Sequence, residues 1–210
     1  MTEGVEIAKL SLLSSSMYLF TIKALYFGNE MITESQSAIM DTGNTLISIP
    51  IKYKLLFQSV LSKSGLNCEI YQESNHQFYQ LGCQIKDVDM IPDFQVNLNG
   101  VLLTIKGPQL IDVCETSPVG KKCMMNIEFQ TGDMDQVILG KAFMTHTYTT
   151  FFLERSELWV AQPKIEKYKE LASKKDHKLH NSATHKKAIF EVWNQEKFAH
   201  LAEIAKREHF

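Results

Sequence analysis

No apolar run in the chain approaches the roughly 18 residues that a membrane-crossing helix needs, so no transmembrane segment is expected. An excess of one charge is missing as well. With 22 Lys and Arg against 24 Asp and Glu, the net charge of −2 gives no global attraction to nucleic acid or acidic lipid. Five prolines and ten glycines in 210 residues exclude a collagen-like or low-complexity chain. The four cysteines are too few for a disulfide-dense miniprotein, and none forms the Cys-x2–4-Cys pair of a structural zinc site. What is present is an ordinary globular composition, 44% hydrophobic and 22% charged, long enough for one large domain or one domain with an appendage.

The average conceals a division near Pro163. Residues 1–162 carry 11 basic and 17 acidic side chains, a balance of −6, whereas residues 163–210 carry 11 basic and 7 acidic, a balance of +4. The first block is punctuated by turn residues, and the second has almost no Gly or Pro. Two differently built pieces are expected: a domain over 1–162, then a polar Lys- and His-rich linker over 163–185 leading to a helix over 186–210.

In the first block, Met17–Tyr26, Ala38–Met40, Leu46–Ile49, Phe94–Leu98, Val101–Ile105, Val137–Leu139 and Tyr148–Leu153 are short runs rich in Ile, Val, Phe, Tyr and Thr. Such runs, separated by Gly28-Asn29, Gly43-Asn44, Asn99-Gly100, Gly107-Pro108 and Gly132-Asp133, predict an antiparallel, mainly β domain. Asn99-Gly100 predicts a hairpin, since both residues tolerate the positive φ of a type I′ turn. One helix is expected over Ile51–Ser62, where Ile51, Leu55, Leu56, Val60 and Leu61 recur near helical spacing after Pro50.

The chemistry is concentrated in Ala38-Ile39-Met40-Asp41-Thr42-Gly43-Asn44-Thr45-Leu46, where an apolar strand delivers one carboxylate into a tight turn. Thr42 can hydrogen-bond locally and Gly43 lets the backbone bend sharply. A bare Asp-Thr-Gly describes only a turn. Its surroundings add more. The opening segment Met17–Ile22 through Gly28-Asn29-Glu30, the run Ala38–Pro50, and the closing set Cys123–Ile127, Val137–Met144 and Tyr148–Ala161 together resemble, in order and spacing, the carboxyl-terminal lobe of a pepsin-like aspartic peptidase, with a particular likeness to plasmepsins.

The resemblance implies a single pepsin-like lobe over about residues 5–162, antiparallel β with one or two short helices, followed by the carboxyl-terminal amphipathic helix. It implies that Asp41 is one member of a catalytic carboxylate pair, with Thr42, Gly43 and Gly140 supporting the active-site loop and Asn44 and Thr45 placed to bind a peptide substrate. It also implies a disulfide between Cys83 and Cys123, leaving Cys68 and Cys114 as free, buried thiols; the alternative is that all four cysteines are reduced, since disulfides follow the compartment. No cofactor and no metal are expected. A secretory or vacuolar location follows from the family. Leu10–Phe20, however, is preceded by Glu3 and Glu6 and followed by no Ala-x-Ala site, which is not a signal-peptide pattern and makes an intracellular complex subunit the alternative.

Several positions depart from the family pattern. Asn44 stands where Thr or Ser is usual and Thr45 where Ser is usual; Lys141 replaces an Asp after Leu139-Gly140; Thr145 or His146 replaces an Arg; and Phe151-Phe152-Leu153 replaces a Phe-Asp ending. Only one Asp-Thr/Ser-Gly occurs, so a complete carboxylate pair requires a second lobe or another protein subunit. Two functions follow from this. One is an aspartic endopeptidase lobe working with a partner. The other is a catalytically inactive scaffold docked through its carboxyl-terminal helix, in which Phe190, Trp193, Phe198, Leu201, Ile204 and Ala205 fall within an arc of about 140°. His177, His180 and His185 have no carboxylate or Cys arranged beside them and are expected to be solvated linker residues rather than metal ligands.

Overall fold

The computed structural model describes residues 6–72, 78–117, 120–132 and 134–163. The chain divides into Met1–Gln162 and Pro163–Phe210. The amphipathic helix expected over 186–210 and, apart from Pro163, the linker expected over 163–185 lie outside the described residues.

Strand β1 (Ile7–Ser11) precedes β2 (Leu19–Phe27), which alternates buried and exposed positions over its first half and pairs antiparallel with β3 (Glu30–Met40). All four residues of β4 (Ile47–Pro50) are buried, and Pro50, with its φ of −54°, starts a single 3-10 turn at Ile51–Tyr53. That turn continues into α1 (Lys54–Lys63). Its inward face is Phe57, Val60 and Leu61, the i, i+3, i+4 set of one helical stripe. Leu55, expected on that face, is 76% exposed, because the stripe is centred on Phe57.

Next come β5 (Asn67–Gln72) and β6 (Phe78–Ile85), an antiparallel pair. Then β7 (Phe94–Leu98) and β8 (Val101–Ile105) form the hairpin that Asn99-Gly100 predicts, with φ of +49° and +95° at its two corner residues. Strands β9 (Ile111–Ser117), β10 (Gly120–Gln130) and β11 (Val137–Leu139) follow, then the short helix α2 (Lys141–Met144), β12 (Tyr148–Phe152) and β13 (Glu157–Ala161).

Two sheets result. One has three strands in the order β1-β13-β12, and the other runs β5-β6-β10-β4-β11-β3-β2-β7-β8 with β9 also on β10. Most neighbours are antiparallel. The exceptions are β3 with β11 and β4 with β10, both parallel and both at the centre of the larger sheet. The core is aromatic: Phe20, Phe27, Phe57, Phe94, Phe129 and Phe143 are fully buried. Phe57 stacks on Phe27 at 4.6 Å and meets Phe129 edge-on at 5.5 Å, which fastens α1 to the sheet. The architecture is the mainly β single lobe expected from the sequence.

The disulfides differ from expectation. Cys68 bonds Cys83 and Cys114 bonds Cys123, so no Cys83–Cys123 bond is present and neither Cys68 nor Cys114 is a free thiol. Register is the reason. Cys68 faces Cys83 directly across β5 and β6, and Cys114 faces Cys123 across β9 and β10, so each bond closes within one antiparallel strand pair.

Candidate active site

The central parallel pairing places Asp41. Strand β3 ends at Met40, buried beside β11, and the next residue leaves the sheet with its N–H donating to the Leu139 carbonyl at 3.2 Å. The Asp41 carboxylate is half-exposed, and its Oδ1 accepts the Gly43 N–H at 2.8 Å. An Asx turn of this kind fixes the carboxylate to its own loop. Thr42 is exposed, and its hydroxyl has no partner among the described residues.

The following loop rests on the start of α2. Lys141 N–H donates to the Asn44 carbonyl at 2.7 Å and Ala142 N–H to the Thr45 carbonyl at 3.0 Å. Contact this close excludes a side chain at Gly140: a Cβ there would lie 2.1 Å from the Leu46 carbonyl oxygen and 2.6 Å from that of Asn44. Gly140 thus has a steric reason independent of backbone angle. Lys141, whose sign is reversed from the family pattern, is exposed and directs its charge to solvent.

Asn44, the residue the resemblance implies for substrate binding, is partly buried and bonds within the lobe. Its Nδ2 donates to Ser48 Oγ at 2.6 Å, and its Oδ1 accepts the Leu46 N–H at 3.1 Å. Ser48 is fully buried and donates onward to the Glu128 carboxylate on β10. A buried hydroxyl needs partners, and this one receives one hydrogen bond and gives one. The line Asn44, Ser48, Glu128 therefore braces the Asp41 loop against β4 and β10. Sequence reasoning missed Ser48 and Glu128; the available signal was a lone hydroxyl inside the apolar run Leu46–Pro50. Thr45 is exposed and its hydroxyl has no partner among the described residues.

A second set of bonds steadies the far end of β3. The Tyr53 hydroxyl lies 2.8 Å from both Thr33 Oγ1 and Gln36 Oε1, and the Gln36 amide donates to the Asp135 carbonyl in the loop that leads to β11. Lys52 pairs with the Asp135 carboxylate at 2.5 Å, and this contact raises the lysine's pKa. Among the described residues, no group of three or more His, Cys, Asp or Glu side chains is arranged to hold a metal ion. No described helix is long and apolar enough to cross a membrane.

The site is a carboxylate held by an Asx turn at the end of a central strand, over a loop that passes through the space a glycine leaves, in a chain whose sequence resembles a pepsin-like lobe. Comparison with known proteins agrees, since the sequence model for "Eukaryotic aspartyl protease" matches residues 3–163. The chain belongs to the eukaryotic aspartyl protease family. A curated "Acid protease" from Saccharomycopsis fibuligera is 24% identical over 149 residues, covering 70% of this chain and 34% of that protein. The chain thus spans about a third of the length of the curated relative it matches. The aspartyl protease match ends where the charge balance changes sign, so it includes Asp41 and Gly140 and stops short of the basic carboxyl-terminal block.

Proposed function

We propose that this aspartyl protease lobe supplies Asp41 as one carboxylate of a two-lobe endopeptidase that hydrolyses peptide bonds through an activated water. The observation that carries this reading is the placement of Asp41, half-exposed at the end of β3 and fixed through Leu139, Gly43 and the loop over Gly140.

Two carboxyls about 3 Å apart cannot both ionise, so they share one proton and hold a water between them. The ionised member accepts a proton from the attacking water while the protonated member donates to the peptide carbonyl oxygen. The roles then reverse as the leaving amine is protonated. A lone carboxylate has no such neighbour to sustain the alternation, and catalysis belongs to the assembly of this lobe with a second one. The unpartnered Thr42 hydroxyl suits a group that bonds across to the second active-site loop, and the exposed Thr45 suits contact with the peptide.

One observation favours a second reading, a scaffold subunit without catalytic activity that is docked through residues 186–210. Asn44, at a position where the family usually carries a hydroxyl, spends both ends of its amide on Ser48 and Leu46. One experiment separates the two readings. The full chain, purified with its native partner, is assayed on a peptide library between pH 3 and 7 beside an assembly carrying Asp41→Asn. Cleavage that falls on the order of 10³-fold or more in the variant is the expected result. An intact assembly that cuts no peptide overturns the endopeptidase reading. The scaffold reading then predicts that deleting residues 186–210 releases the partner, whereas Asp41→Ala leaves it bound.

A further inference from the structure

The four cysteines stand in one line across four neighbouring strands. Cys68 on β5 faces Cys83 on β6, Cys83 also faces Cys123 on β10, and Cys123 faces Cys114 on β9. Directly opposed residues of antiparallel strands project to the same side of a sheet, so the sulfurs form a row in the order 68, 83, 123, 114. The inner two are 1% and 0% exposed, Cys68 is half-buried, and Cys114 is exposed.

Each disulfide joins an outer cysteine to an inner one, and only the central gap, between Cys83 and Cys123, is unbridged. That gap suits a bond. The Cα separation of 4.0 Å in both existing pairs marks them as non-hydrogen-bonded positions. A strand residue directs its N–H and C=O to one side only, so Cys83 and Cys123 meet as a hydrogen-bonded pair. Such a pair has a Cα separation of about 5.5 Å, inside the usual range for disulfides.

We propose that the row is a thiol–disulfide exchange site, in which attack of a low-molecular-weight thiol on exposed Cys114 is relayed inward. Two-electron reduction then leaves a buried Cys83–Cys123 bond and thiols at Cys68 and Cys114. In the first step the external thiolate bonds Cys114 Sγ, the Cys114–Cys123 bond breaks, and Cys123 leaves as a thiolate. Next, Cys123 attacks Cys83 Sγ, forming Cys83–Cys123 and expelling Cys68 as a thiolate that takes a proton from solvent. Nucleophile, central sulfur and leaving sulfur are then consecutive members of the row, the order that displacement along an S–S bond requires. A second external thiol attacks the mixed disulfide on Cys114, which releases the Cys114 thiol and the oxidised external disulfide. In sum, two external thiols become one disulfide, and one of the two protein disulfides becomes two protein thiols. The order of reduction follows burial, with the last bond placed where solvent reaches least.

The test titrates the oxidised full chain with glutathione, quenches with iodoacetamide, and then labels the remaining bonded cysteines with a second alkylating agent after complete reduction. Cleavage after Lys86, Lys106 and Lys122, and after Tyr71, puts the four cysteines on separate peptides. The expected result at two thiols per chain is iodoacetamide on Cys68 and Cys114 together with a linked Cys83–Cys123 peptide. Label on Cys114 with Cys123, or on Cys68 with Cys83, shows the bonds opening independently and overturns the proposal. So does a Cys83–Cys123 link in the never-reduced chain, which removes the starting state. A double variant, Cys68→Ser with Cys114→Ser, tests the central gap directly. On air oxidation it is expected to lose both remaining thiols to one bond, and two persistent thiols overturn the relay.

Discussion

Gly140 sets the tolerance of the Asp41 loop. The carbonyl oxygens of Leu46 and Asn44 would lie 2.1 Å and 2.6 Å from a Cβ at this position, and the loop that carries them is held by the Asn44 and Thr45 carbonyls, which accept the Lys141 and Ala142 N–H groups. No flexible side chain is available to swing aside, so Gly140→Ala must shift the loop. We expect a loss of about 3 kcal/mol or more, at or above the upper end for overpacking, read as a lower urea midpoint with an unchanged slope. The lost stability should come with a displaced Asp41, seen as a changed carboxyl resonance in NMR. Gly100 is a useful control, because a Cβ there meets nothing within 4 Å and a substitution suffers only from its φ of +95°. Equal destabilisation of Gly140→Ala and Gly100→Ala would show that crowding at the loop is not what requires the glycine.

At the scale of elements, α1 is fastened by one residue more than by its hydrophobic pattern as a whole. Phe57 is fully buried between Phe27 and Phe129, whereas Leu55 faces solvent. Phe57→Ala should cost about 3–5 kcal/mol, while Leu55→Ala should leave thermal unfolding nearly unmoved; calorimetry on both variants checks the contrast. The same elements show what was legible in the sequence. The β7–β8 hairpin could be placed from Asn99-Gly100, and β11 and β12 from their β-branched and aromatic content, because each signal is local. Strands β5, β6 and β9 carry Asn67, Glu69, Gln72, Gln80 and Glu115 and lack a clean apolar alternation, so their pairing depends on tertiary context. The misassigned disulfides share that cause, since Cys68, Cys83 and Cys114 stand on β5, β6 and β9, the strands absent from the expectation. Likewise, Asp41 and Gly140 could be read from their motifs. The bonding of Asn44 within the lobe could not, because it depends on Ser48 and Glu128, which pair across the parallel β4–β10 contact 80 residues apart.

For the molecule as a whole, acidity acts on stability through His146, just past α2. Burial lowers its pKa below the usual 6.5, and a hydrogen bond to the Gln109 backbone opposes that shift only in part. The folded state therefore binds a proton less readily than the unfolded chain, and in the window below pH 6.5 the unfolded state carries more protons. Stability rises with pH across that window. The contribution is fully present above the unfolded pKa near 6.5 and is lost as pH falls through it toward the lower folded value. This opposes the acidic conditions under which a shared-proton carboxylate pair works, so an acid-active assembly must tolerate the cost of a charged imidazole at the partly buried His146, which the Gln109 backbone offsets only in part. Replacing His146 by Gln keeps a side-chain donor for the Gln109 carbonyl but removes the titration. Urea midpoints measured from pH 7.5 down to 5 should then separate: the wild-type chain loses stability through the window more steeply than His146→Gln, and the two curves run parallel above it. Parallel curves throughout would mean that the His146 proton is not linked to folding.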